Sequence, residues 1–231
     1  SAFTDIDHVY VASLWGEGQT TFDKINKKAS VKRFALLTRG WSKNLLVQVL
    51  KYIEFTLRIL LFYRSKDIGL VNVHHLALLP LGWLMKICFG APLIYDAHEL
   101  ETETHSLKGI KKKLAKVTES VFIKKADHVF VVSENIADWY EKNYAIKRPT
   151  VVMNTPRLIS VKKNNYFREH FHLRSDQKIA LYQGALMPGR GVKELIAAFA
   201  ARKDDAVVVI FMGYGSLEGQ IINEANKSNN I

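Results

Sequence analysis

Cysteine is close to absent. Cys88 is the only one in 231 residues, which excludes an internal disulfide framework and suits a reducing, cytoplasmic setting. Its neighbours Ile87 and Phe89 predict a buried thiol. The His/Cys and HExxH spacings of a zinc site are missing, so no metal is expected. Internal repeats and low-complexity tracts are lacking too. Acidic residues are scarce beside basic ones, 22 against 33, for a net charge of +11. That surplus points to an anionic partner or to a solvated lysine-rich surface. The basic residues are not interleaved with aromatics and no nucleic-acid motif is present, which argues against nucleic acid. The start of the chain has no basic segment leading into a long apolar core, so no signal peptide is read there. Uncharged apolar runs of membrane length are missing as well. The most apolar stretch, 44–63, carries Lys51, Glu54 and Arg58, and a charge at the centre of a span costs about 2.5–3.5 kcal/mol. Those three share one narrow stripe, predicting a helix packed on most sides, with Glu54 and Arg58 ordered for an i,i+4 pair.

Short apolar runs instead alternate with helical periodicity along most of the chain. Strands are predicted at 8–13, 33–38, 68–75, 92–99, 127–134 and 149–156. Helices are predicted at 44–63, 76–89 (with Pro80 in the first turn), 106–126 (capped by Ser106) and from Glu134 onward. Near-continuous apolar strands alternating with helices indicate an α/β fold with a parallel sheet covered on both faces. Ligands of such sheets sit beyond the strands' carboxyl ends, which singles out His74, His75, Asp96 to Glu99, Ser133 and Asn154. A polar, charged segment then separates two domains: 1–156, a linker at 157–176, and 177–231. The second domain reads strand, glycine loop, helix, strand, glycine turn, helix. At about 55 residues it is too short to bury a doubly wound core alone, so it is expected to be the start of a larger domain. The first lacks the glycine-rich strand–helix opening usual for such a sheet, which predicts that its first strand is missing.

The stretch "YQGALMPGRGVKELIAAF" (182–199) places Gly189, Arg190 and Gly191 between a strand and a helix. Glycines let backbone N–H groups approach an anion, the helix start adds its positive dipole end, and Arg190 and Lys193 supply phosphate-type donors. A Pro-Gly turn with a surface arginine explains the same residues. "MGYGS" repeats the logic one strand later with Gly213 and Gly215. "YDAHELETETH" sets Asp96, His98 and Glu99 where an apolar strand stops. Either a histidine there serves a sugar hydroxyl or a proton, or the segment is a solvated loop with Asp96 capping a turn. At least one of the pair His74 and His75 is structural, since they point to opposite sides of the strand. The helix from Leu107 has one apolar stripe (107, 110, 114, 117, 121) opposite Lys108, Lys112, Lys113, Lys116 and Lys124, with only Glu119 opposing the charge. Those lysines form a solvated face or dock on anionic headgroups, at about 1 kcal/mol per lysine.

Taken in order, "PLIYDAHELE", "ADHVFVVSENIADWY", "PTVVMNTP", "LYQGALMPGRGVKELIAAF" and "VVVIFMGYG" resemble the retaining glycosyltransferases of GT-B architecture, group one (family four). The resemblance covers most of 92–215. It implies two Rossmann-like domains, the first holding the acceptor and the second a nucleotide-sugar donor of UDP or GDP type. It implies that His98 lies near the donor sugar, that Arg190 neutralises the leaving diphosphate, and that Gly184, Gly213 and Gly215 line the nucleotide pocket. It further implies sugar transfer with retention and without a metal or other cofactor, to a glycan or lipid-linked acceptor. Two departures stand out. Ala185 sits where many members have arginine. The family's glutamate pair and its acceptor-side glycine loop would lie beyond Ile231 and before Ser1, so the chain alone is expected not to turn over. A noncatalytic membrane-docked or partner-binding subunit of the same fold, and a nucleotide-sugar epimerase, are the alternatives. The expected location is cytoplasmic, with peripheral docking at the inner membrane face through the lysine-rich helix.

Overall fold

The computed structural model describes residues 6–104 and 107–231; the cap expected at Ser106 lies outside them. The chain divides into two compact units, one ending at Thr155 and the other running from Pro156 to Ile231.

The first unit opens with three strands, β1 (Val9–Leu14), β2 (Phe22–Asn26) and β3 (Ala29–Phe34), in the order β1-β3-β2. β1 runs parallel to β3, while β2 and β3 form an antiparallel hairpin. The hairpin escapes a reading by apolar runs because "FDKIN" is polar and exposed on both faces. The strand expected at 33–38 ends at Phe34 instead. Beyond it, the Leu37 and Thr38 amides and the Thr38 hydroxyl donate to the Glu54 carboxylate at 2.8, 3.0 and 2.7 Å, pulling the segment out of the sheet. Burial pushes the Glu54 pKa up, but these donors and Arg58 outweigh it and hold it at about 2.

Helix α1 (Leu45–Tyr63) starts where Asn44 accepts from the Val47 amide at 2.9 Å. The expected Glu54–Arg58 pair forms at 2.8 Å. The expected packing on most sides does not. Phe55, Ile59 and Tyr63 join Phe34 and Leu81 in one cluster, while Leu46 is 77% and Leu61 60% exposed. Residue type sets the apolar pattern of a helix, but burial requires neighbours, and here they cover one face only. No helix among the described residues is long and apolar enough to cross a membrane.

The second sheet of this unit is wholly parallel: β4 (Val71–Val73), β5 (Leu93–Ala97), β6 (His128–Val131) and β7 (Thr150–Val151), in sequence order. Its connections contain α2 (Leu79–Phe89), α3 (Gly109–Phe122) and α4 (Glu134–Tyr144). Pro80 lies in the first turn of α2 and Ser133 caps α4. Leu79, Leu93, Tyr95, Val131, Ala137 and Tyr140 form a core sealed from solvent. Cys88, expected to be buried, is exposed in the last turn of α2 beside an equally exposed Ile87. Of its apolar flanks, Ile87 lies on the helix's outer surface while Phe89 packs against the core.

Helix α3 reverses the expected sense of its stripe. Ile110, Leu114, Val117 and Val121 face solvent, and Glu119 is fully buried. Two of the five lysines, Lys112 and Lys116, are tied to Glu103 at 2.7 Å each. The Glu119 carboxylate accepts from the hydroxyls of Tyr95, Tyr140 and Tyr144 at 3.1, 2.8 and 2.5 Å. Burial raises the pKa of each tyrosine, and the adjoining carboxylate adds to the rise. Three donors from β5 and α4 thus turn α3 so that its one acidic side chain points inward.

In the second unit, α5 (Tyr166–His170) precedes a two-stranded parallel pair, β8 (Lys178–Gln183) and β9 (Val207–Met212). Helices α6 (Val192–Ala200) and α7 (Glu218–Ala225) follow these strands. Leu186, Val192, Ile196, Leu217 and Ile221 form the core of this unit.

Replacing Glu119 by alanine leaves three buried hydroxyls without their acceptor, each costing about 1–3 kcal/mol. Urea unfolding is therefore expected to show a loss of roughly 3 kcal/mol or more for Glu119→Ala. Tyr144→Phe, which removes one charged hydrogen bond, is expected to lose about 1.5–3 kcal/mol. A Glu119→Ala loss below about 1 kcal/mol would rule out this role.

Candidate active site

Parallel pairing brings together side chains that are distant in the sequence. In the β4–β5 register Val73 lies opposite Tyr95, so the next residues, His74 and Asp96, come abreast at the carboxyl edge. His74 Nδ1 lies 3.0 Å from Asp96 Oδ2. His98 Nε2 lies 3.4 Å from the same oxygen and 3.2 Å from His74 Nδ1. Both imidazoles are exposed and Asp96 is partly buried. Asp96 is therefore neither a turn cap nor part of a solvated loop: it lies within β5, one residue before its end, facing two histidines. The paired His74 and His75 divide as expected. His75 accepts from the Ala77 amide at 3.2 Å and approaches Glu101 at 3.2 Å, a structural role at the start of a 3-10 turn. Glu101 also accepts from the Leu76 amide at 2.8 Å. Burial raises its pKa, against the opposing effects of that amide and His75. The loop after β5 is thereby anchored, and His98 is presented from a fixed base while Glu99 points to solvent.

Ser133 serves as the helix cap of α4, and Asn154 is exposed beyond β7. The contribution of His74 was not legible from its spacing. The signal is a histidine just past each of two consecutive strands and an acid near the end of the second, which becomes a cluster only if those strands are neighbours.

In the second unit the two glycine turns are laced together by backbone. Gly184 N donates to Met212 O at 3.0 Å, Leu186 N to Tyr214 O at 2.9 Å, and Leu217 N to Leu186 O at 2.9 Å. A Cβ on Gly213 would stand 1.9 Å from Gly184 O, so this close approach requires glycine. Gly215 meets Leu186 O in the same way at 2.4 Å. Gly213 and Gly215 thus have a structural task whatever binds beside them. Tyr182 closes the loop from below, its hydroxyl donating to Ala185 O at 3.0 Å. Leu186 is buried.

Gly189 and Gly191 take left-handed φ values of 80° and 74°, and Gly191 is the N-cap of α6 with no side-chain cap. The first amides of α6 consequently have no partner from a capping side chain. Arg190 and Lys193 are exposed next to them. A helix N-terminus without a capping side chain, two exposed cations and the acidic Glu194 thus stand together at this loop. A cleft of about 390 Å³, lined by Asp127, His128, Lys147 and Arg148 among others, lies at the entry ends of β6 and β7. That is the opposite end of the strands from His74, Asp96 and His98.

The comparisons with known proteins bear on the fold and the family. Sucrose-phosphate synthase from Thermosynechococcus elongatus superposes with a TM-score of 0.69 at 16% identity, over 96% of this chain and 59% of its own. HepE of Anabaena, solved with UDP-glucose, gives 0.59 at 15% identity, over 88% of this chain and 54% of its own. WaaB, a lipopolysaccharide outer core galactosyltransferase, gives 0.54 at 14% identity, over 85% and 50%. The chain thus spans about three-fifths of the length of the first of these structures. No curated protein matches it. The profile of Glycosyltransferase Family 4 matches residues 8–156. With parallel α/β units of the Rossmann-like GT-B kind and this match over more than half its length, the chain belongs to Glycosyltransferase Family 4.

Proposed function

We propose that the protein transfers a sugar from a nucleotide-diphosphate sugar of UDP or GDP type to a glycan or lipid-linked acceptor, with retention at the sugar and no metal in the transfer step. The observation that carries this reading is the open start of α6, where uncapped amides stand beside Arg190 and Lys193. Departure of the nucleotide puts negative charge on a diphosphate. Fixed N–H donors and cations aimed at developing charge are usually the largest catalytic contribution. In this reading the loop amides and Lys193 hold the diphosphate and Arg190 neutralises it as the glycosidic bond breaks. Gly184, Gly213 and Gly215 keep the adjoining turns close enough for a nucleotide to lie along the strand ends. His98 positions the donor sugar through a ring nitrogen. That HepE was solved with UDP-glucose supports a nucleotide-sugar donor. The domain limits proposed are 1–156 for the acceptor side and 177–231 for the beginning of the donor side.

In the intact protein, Arg190→Ala is expected to lower kcat/KM by about 100- to 1000-fold, as for loss of one preorganised donor to a developing anion. Near-normal kcat/KM would refute the assignment. A thermal-shift panel of UDP-, GDP- and ADP-sugars identifies the donor, since a ligand that binds the folded state raises the melting temperature.

Peripheral membrane docking accompanies the proposed function. On α3, Ile110 is 82% exposed and Leu114, Val117 and Val121 are exposed beside it. Lys108, Lys113 and Lys124 are exposed as well and form no ion pair among the described residues. An exposed apolar ridge with flanking lysines is the pattern of a helix that lies in a headgroup layer. Flotation with vesicles containing anionic phospholipid is expected to carry the protein upward, weakening with salt. Val117→Asp is expected to abolish this. Failure of the unaltered protein to float with anionic vesicles at low salt would exclude the membrane reading.

A further inference from the structure

The three atoms that meet at the β4–β5 edge are all potential electron-pair donors, and they form a nearly regular triangle. Its sides are 3.0 Å (His74 Nδ1 to Asp96 Oδ2), 3.4 Å (His98 Nε2 to Asp96 Oδ2) and 3.2 Å (His74 Nδ1 to His98 Nε2). Ligand atoms bound to one zinc ion at about 2.0–2.1 Å in tetrahedral geometry lie about 3.3–3.4 Å from one another. The two longer sides of the triangle come close to that spacing, and the shortest is a few tenths of an ångström under it. Hydrogen bonding accounts for it only in part. One ring N–H, on His74 Nδ1 or His98 Nε2, can serve Asp96 Oδ2 and the other ring, but the second ring nitrogen then keeps a lone pair facing that carboxylate oxygen. A single cation takes all three lone pairs at once.

We propose that His74, Asp96 and His98 form a binding site for a divalent cation of the zinc class. Two imidazoles and one carboxylate are ligands of that preference, and three protein ligands leave the fourth position open to water or a substrate oxygen. The site also has an orienting residue. Asn72 lies 3.3 Å from the other nitrogen of His74, Nε2. Its amide can turn its oxygen toward the Nε2–H that a metal-bound Nδ1 requires. Access is open, since the side chains of His74 and His98 are 57% and 48% exposed. Among the described residues this is the one group of three such side chains whose ligand atoms converge. Pairing of β4 and β5 through Val71, Asn72 and Val73 sets His74 beside Asp96.

A metal here takes the nitrogen that His98 would offer to the donor sugar, so zinc and sugar compete for the edge. That consequence rests on the transferase reading, whereas metal uptake does not. The test is titration of the metal-free protein with Zn2+ against a chromophoric chelator, and with Co2+ by visible absorption. One equivalent per chain is expected with micromolar or tighter affinity, and Co2+ is expected to give the intense visible bands of a four-coordinate site. His74→Ala and His98→Ala are each expected to weaken uptake at least tenfold, and Asn72→Ala by about tenfold or more, as for loss of an orienting partner. His75→Ala, and His170→Ala with His172→Ala, are expected to leave it unchanged, with circular dichroism confirming each fold. Absence of stoichiometric uptake would overturn the proposal. Uptake that survives the double replacement of His74 and His98, or that disappears on replacing His170 and His172, would overturn it equally.

Discussion

The buried carboxylate of Glu119 is the constraint around which the first unit is arranged. A carboxylate taken out of water costs several kcal/mol unless its lone pairs are filled. Here they are filled by hydroxyls from Tyr95 on β5 and from Tyr140 and Tyr144 on α4. Satisfying all three sets the rotation of α3 about its axis, and that rotation has two consequences. Inward, it locks β5 against α4, and β5 is the strand that carries Asp96 and is followed by His98. Outward, it turns Ile110, Leu114, Val117 and Val121 into solvent. The site and the exposed ridge therefore share one physical origin.

The second unit depends on backbone rather than side chains. Its two glycine turns come so close that Gly213 tolerates no Cβ, and the amides of Gly184, Leu186 and Leu217 are consumed in holding them together. Those amides are unavailable to a ligand. The proposed diphosphate contact therefore falls to the start of α6, where Gly191 offers no side-chain cap and Arg190 and Lys193 are exposed. Ala185, where arginine is common in the family, holds the Tyr182 hydroxyl through its carbonyl, a contact that any residue can make.

Much of the frame was legible. Apolar runs locate β1, β5, β6, β8 and β9, and helical periodicity locates α1, α2, α4, α6 and α7 to within a few residues. Boundaries were lost where side chains overrule propensity. The segment after Phe34 leaves the sheet because Glu54 captures its amides, and the β2–β3 hairpin is too polar to register as strand. Residue type and spacing determine burial less well than they determine secondary structure. Cys88, the outer face of α1 and the stripe of α3 are apolar in type but exposed in place, because periodicity says which residues share a face and not what that face meets.

By itself the sequence determined the α/β alternation, the strand ends where polar residues gather, and the glycine–arginine loop before α6, since each follows from residue type and local spacing. Tertiary structure decided which of those polar ends meet. His74 and Asp96 are 22 positions apart, and only the parallel register of β4 on β5 puts them 3.0 Å from each other. It also decided that Glu119 goes in and the apolar ridge goes out, because the three hydroxyl donors come from elements that sequence spacing does not bring together.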